Sequence, residues 1–129
     1  MAIKVANYPR YIRPQSGLTL ADQVFEYYIE DGLTRFIAVF YGNDSEWVGP
    51  VRSGRFFDEN IQRMYQSYLV FKFADPRVLD YFRTTDFAEF LVGEISLMIC
   101  SVSYTVPQRL SPIPARTNRS VSGSSKWIP

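Results

Sequence analysis

Histidine is missing from this chain altogether, and cysteine occurs once, at Cys100. The first absence removes the Ser-His-Asp and Cys-His arrangements of nucleophilic catalysis, together with the commonest metal ligand. The second rules out a disulfide within the chain and a zinc site built on cysteines, so Cys100 reads most simply as a small core residue. Any chemistry has to run on carboxylates, Lys, Tyr, Ser or Arg. No residue stands out as catalytic, and no metal or cofactor is implied. A strong charge of one sign is also lacking: a formal net charge of +1 offers no global field for nucleic acid or an anionic membrane. The longest apolar stretch, near Ile95–Cys100, is far short of the roughly 18 residues that suggest a transmembrane helix. MAIKVANYPR has no apolar core of a signal peptide either, so the chain by itself reads as soluble.

What is present is a packed domain. The 129 residues are 47% hydrophobic and 16% aromatic, enough for one folded unit that buries roughly two thirds of its unfolded surface. Charge is divided along the chain. Residues 1–94 hold all 13 acids and ten of the 14 Lys and Arg; residues 95–129 hold no acid, four bases, eight Ser and four Pro. The expectation is a single mixed domain over 1–94 and an irregular, weakly basic tail over 95–129.

Local signals within 1–94 predict a small mixed β-sheet, containing a hairpin and flanked by two or three helices, in the α/β or α+β class. IKVAN (3–7) is a short strand, YPRYIRPQSG (8–17) a structured loop, and Thr19 a cap for a helical turn through Leu20-Ala21-Asp22. VFEYYIE (24–30) and LTRFIAVFY (33–41) flank Asp31-Gly32, which predicts a two-residue type I′ hairpin. In that register Phe25 faces Ala38, Tyr27 faces Phe36 and Ile29 faces Thr34. Arg35 then shares the opposite face with Glu26, Tyr28 and Glu30. Phe57, Ile61, Met64, Tyr65 and Tyr68 have helical spacing between about Gly54 and Ser67, with Asp58 and Glu59 favoured near its start. YLVFKF (68–73) reads as a buried strand. Asp75-Pro76 opens a helix with Val78, Leu79 and Phe82 inward, and Phe87–Val92 is predicted to continue as another helix.

Three polar groups carry functional potential. VGPVRSGR (48–55) sets Arg52, Ser53 and Arg55 where a helix start exposes free N–H groups, the ingredients of an anion site. It is not a Walker loop, and internal ion pairs to Glu26, Glu30 or Asp58 are the competing reading. IRPQSGL (12–18) packs Arg13, Gln15 and Ser16 into a turn, where their polar groups either serve a ligand or bond to backbone. Glu26 and Glu30, about 6.5–7 Å apart along one strand face, invite a two-carboxylate mechanism. Arg35 between them would keep both ionised, which suits a structural cluster better than a general acid. Lys72 within an apolar strand is either a buried amine or an edge residue that snorkels to water. Ser16 and Ser53 lack a His to activate them.

Taken in order, RPQSGL (13–18), the E-D-G-L-T-R-F hairpin (30–36) and GPVRSGR (49–55) resemble the N-terminal region of the YerB-like bacterial family, over about Ile3 to Phe82. Its members are described as lipoproteins of unknown function. The resemblance implies an extracytoplasmic, membrane-anchored setting near the cell wall. It also implies a further domain, with which this chain, as a truncated member, would associate. The family's polar motifs fall on Arg13, Gln15, Ser16, Glu26, Glu30, Thr34, Arg35, Arg52, Ser53 and Arg55. The resulting expectation is a noncatalytic binding module for an anionic small molecule or cell-wall polymer. The alternatives are an enzyme with a Glu base and Arg charge stabilisation, and a protein-interaction domain whose polar cluster is structural.

Overall fold

The computed structural model describes residues 1–93; the expectations for Cys100 and for the tail lie outside the described residues. Five strands form one mixed sheet: β1 (Ala2–Ala6), β2 (Gln23–Tyr28), β3 (Thr34–Val39), β4 (Leu69–Val70) and β5 (Leu91–Val92), in the spatial order β2-β3-β1-β4-β5. β2 and β3, and β3 and β1, are antiparallel, whereas β4 runs parallel to both β1 and β5. Two helices, α1 (Asp58–Tyr65) and α2 (Pro76–Thr84), complete an α+β architecture.

The sheet has a helix side and a loop side. On the helix side Ala2, Ile37, Val39 and Leu69 pack with Ile61 of α1 and with Val78 and Phe82 of α2. On the loop side Ile3, Val5, Ala38, Phe40 and Val70 pack with Val48 and Val51, joined by Leu18 and Ala21. β1 is therefore covered on both faces and all five of its residues are buried, as an apolar central strand requires. Lys4 lies in the middle of that strand, so its charge demands a partner inside the protein.

The loop side is pinned by close backbone approach. Gly17 adopts φ 74°, and a Cβ there would stand 2.3 Å from the Trp47 carbonyl oxygen. Only glycine fits both demands. Ser16 and Gly49 exchange backbone hydrogen bonds of 2.9 and 3.1 Å, which ties RPQSGL to the start of GPVRSGR.

The hairpin departs from the expected register. Its turn has three residues, Glu30–Gly32, closed by a 2.8 Å bond from the Ile29 N–H to the Leu33 carbonyl. Asp31 (φ 57°) and Gly32 (φ 70°) are both left-handed, so the Asp-Gly signal does mark the reversal, but Glu30 belongs to the turn as well. Tyr27 consequently faces Arg35, and Phe25 faces Ile37. This one-residue slip moves Arg35 to the face opposite Glu26 and Tyr28.

Other boundaries shift for local reasons. The turn after RPQSGL is Leu18–Leu20, entered from Gly17 rather than capped by Thr19. α1 starts at Asp58, not near Gly54, and Phe57 and Met64 of its expected inner face are exposed while Ile61 is buried. The 68–73 segment contributes only Leu69–Val70 as a strand, because the chain then pairs with residues 52–54 instead. Phe87–Val92 is no helix: a short turn over Ala88–Phe90 leads into β5. Asp75 caps α2 as expected, accepting a 3.0 Å bond from the Arg77 N–H, with Pro76 in the first turn.

Candidate functional site

Residues 50–54 run beside the second half of β1, where the Arg52 N–H reaches the Lys4 carbonyl at 3.0 Å and the Lys72 N–H reaches the Arg52 carbonyl at 3.1 Å. The segment then turns into α1 and brings Asp58 under the sheet. Lys4 Nζ donates to Asp58 Oδ1 at 2.8 Å, with both side chains fully buried. Tyr27 closes the group: its hydroxyl accepts from Lys4 and donates to Asp58 Oδ1. The second Asp58 oxygen accepts the Arg55 backbone N–H at 2.8 Å. That N–H is one of the donors expected to be free for a ligand, and it is already satisfied from within.

Burial governs the electrostatics of the pair. It lowers the Lys4 amine to about 8, against the attraction of Asp58. It raises the Asp58 carboxyl above the ordinary range, against the attraction of Lys4. For Lys4, repulsion from Arg35 and Arg55 adds to the effect of burial.

Arg35 and Arg55 act on this pair and Arg52 acts on Arg35, and the three are used differently. Arg55 is fully engaged: Nε and Nη2 grip Glu30 at 2.7 and 3.0 Å, and Nη1 donates to the Gly54 carbonyl at 3.0 Å. The bidentate grip lowers the Glu30 carboxyl below its usual range, the wrong direction for a general acid. Arg35 is only 9% exposed and makes no ion pair among the described residues; Nη1 donates to the Ser53 carbonyl at 2.9 Å. Burial, followed by repulsion from Arg55 and Arg52, lowers its guanidinium to about 10, against the weaker attraction of Glu30 and Asp58. Arg52 is half-buried, and its side chain forms neither a hydrogen bond nor an ion pair among the described residues.

The remaining motif residues gather on the loop side, around Asn7. Its amide donates to Glu26 at 3.1 Å and to Thr34 at 2.7 Å, and Thr34 donates to Glu26 at 2.6 Å. Arg13 reaches the Asn7 side-chain and backbone oxygens at 2.7 and 3.0 Å, and Gln15 reaches the Ala6 carbonyl at 3.1 Å. Ser16 contributes through its backbone bridge to Gly49. The nine candidate residues therefore form two groups rather than one. Glu30, Arg35, Arg52, Ser53 and Arg55 meet on the helix side, whereas Arg13, Gln15, Ser16 and Glu26 meet on the loop side. Glu26 and Glu30 have separate partners and do not form a carboxylate pair.

Sequence reasoning missed Lys4, Tyr27 and Asn7 as members of these clusters, and named Asp58 as a partner for the arginines rather than for Lys4. The signal for Lys4 is a single cation in the apolar run AIKVA, of the same kind as Lys72 in YLVFKF.

The fold and these clusters define a small α+β domain with a buried charged group beside two arginines that make no ion pair among the described residues. The chain belongs to the family described as "Protein of unknown function (DUF3048) N-terminal domain", whose model matches residues 1–112. The match extends past the composition change near Ile95, beyond the Phe82 limit expected from the motifs. A protein of Bacillus subtilis named "Putative lipoprotein YerB" is 43% identical over 70 residues, covering 54% of this chain and 21% of the relative. The crystal structure of the YerB protein from Bacillus subtilis superposes with a TM-score of 0.63 at 34% identity, covering 72% of this chain and 31% of that one. The chain thus spans less than a third of either relative's length. Among the described residues no helix is long and apolar enough to cross a membrane, and no group of acids suits a metal ion.

Proposed function

We propose that this domain is a noncatalytic binding module that accepts an anionic group at Arg35 and Arg52, within a bacterial envelope protein. The observation that carries the reading is Arg35, a nearly buried guanidinium with no ion pair, placed beside a second arginine whose side chain has no partner among the described residues. A buried cation without a counter-ion is unfavourable, and a bound carboxylate, phosphate or wall-polymer anion relieves that cost. The envelope setting rests on the name of the B. subtilis relative. A neighbouring domain is a second proposed partner: among the described residues β2 is an edge strand with Val24 and Tyr28 exposed, and the relatives are more than twice as long as this chain.

A thermal-shift and calorimetric screen against orthophosphate, citrate and cell-wall fragments tests the reading. A bound anion at 100 times its Kd adds about 2.7 kcal/mol of stability and is recovered unchanged. Arg52→Ala should leave ligand-free stability within about 0.5 kcal/mol of wild type while losing the shift. If no anion stabilises the protein, or if the variant responds as wild type does, the reading fails. Turnover of a bound probe would instead favour the enzyme.

A further inference from the structure

Among the described residues Lys4, Arg35, Arg52 and Arg55 stand against only Asp58 and Glu30, an excess of two positive charges in one partly desolvated cluster. Arg55 is neutralised by Glu30, and Lys4 by Asp58, so the excess resides on Arg35 and Arg52. Both present planar forks of donors, which match the oxygens of a tetrahedral anion better than the point charge of a lysine does.

From this placement, and resting on the anion-binding reading above, we infer that the site takes a dianionic tetrahedral group, of the phosphomonoester or sulfate type, and that the proton on Lys4 forms part of the charge that holds it. A single carboxylate or a phosphodiester leaves one of the two cations uncompensated. The groups that face Lys4 are Tyr27 from β2, Arg35 from β3, Arg55 from the 52–57 segment and Asp58 from α1. When Lys4 gives up its proton, Asp58 keeps a carboxylate with no cation bonded to it, and that carboxylate competes with the external anion for Arg35. The sign follows: affinity is highest while Lys4 is charged and falls as pH rises through about 8.

The test uses sulfate, whose charge is constant across this range, with glycerol 3-phosphate, dimethyl phosphate and acetate at fixed ionic strength. Binding is read by calorimetry and by the Arg Nε–Hε resonances of the whole chain. At pH 7 the two dianions should bind about tenfold more tightly than the two monoanions. Sulfate affinity should fall several-fold between pH 7 and 9. A Lys4→Met/Asp58→Asn double variant keeps the net charge and should bind sulfate with a flat pH profile. Equal affinity for monoanions and dianions, or a flat wild-type profile, overturns this inference and leaves anion binding standing. Absence of binding by all four probes overturns both. Should the double variant not fold, the wild-type profile and the anion ranking decide the matter alone.

Discussion

On the helix side of the sheet, Lys4, Tyr27 and Asp58 meet where neither charged group has any exposed surface. On the loop side, Asn7 gathers Arg13, Gln15, Glu26 and Thr34 in contact with water. The clusters grow from the same stretch of chain, since β1 sends Lys4 to one face and its continuation three residues on, at Asn7, to the other. The environment separates their physics. In the buried group each ion depends on its partner, because no water can replace it, whereas solvent can substitute for any lost bond in the exposed group. Among the described residues the carboxylates beside Arg35 on the helix side are Asp58 and Glu30, each already bonded to another cation.

The largest expected effect comes from breaking the buried pair from one end. Asp58→Ala leaves Lys4 buried without a carboxylate and removes the acceptor of the Arg55 N–H. It should cost about 3–5 kcal/mol in urea unfolding at pH 7. Replacing both ends by apolar residues, as Lys4→Met/Asp58→Leu, should recover most of that loss, since the pair itself contributes little net stability. If the single variant unfolds at the wild-type midpoint, water reaches this cluster and the contrast with the loop side disappears.

Asn7→Ala probes the other cluster and should cost about 1 kcal/mol by the same measurement. The amide links Thr34, Glu26, Arg13 and Gln15, but water is available to each of them once it is gone. A loss approaching that of Asp58→Ala would mean that the loop side is held by this network. The close Gly17–Trp47 approach and the apolar contacts of Val48 and Val51 should carry it instead.

Local chemistry made several features of this fold legible. Asp75-Pro76 marks the start of α2 because a side-chain cap and a proline in the first turn act within a few residues. Asp31-Gly32 likewise marks the reversal between β2 and β3. The register was not legible, since enrolling Glu30 in the turn depends on how Leu33 and Ile29 pair, and a slip of one residue moves every side chain to the other face. The expected Glu26–Arg35–Glu30 cluster failed for that reason alone. Lys4–Asp58 lay further out of reach: the partners are 54 residues apart, and neither local pattern distinguishes a buried ion from a solvated one. The motif arginines were visible as types, but which of them keeps a carboxylate is set by tertiary placement.

Glu30→Gln should have the smallest effect on stability and the most informative one on the site. Glu30 is 62% exposed and Arg55 24%, so solvent screens the pair and its removal should cost no more than about 0.5 kcal/mol at pH 7. The grip of Arg55 lowers the Glu30 carboxyl, so its contribution is present above the unfolded carboxylate range and fades as pH falls through the folded value. Wild type and variant should therefore converge in stability toward acid pH. At neutral pH the variant frees the Arg55 fork and raises the excess charge beside Arg35, so sulfate should bind several-fold more tightly than to wild type. Unchanged or weakened sulfate affinity would show that Arg55 does not face the ligand, and would confine the anion site to Arg35 and Arg52.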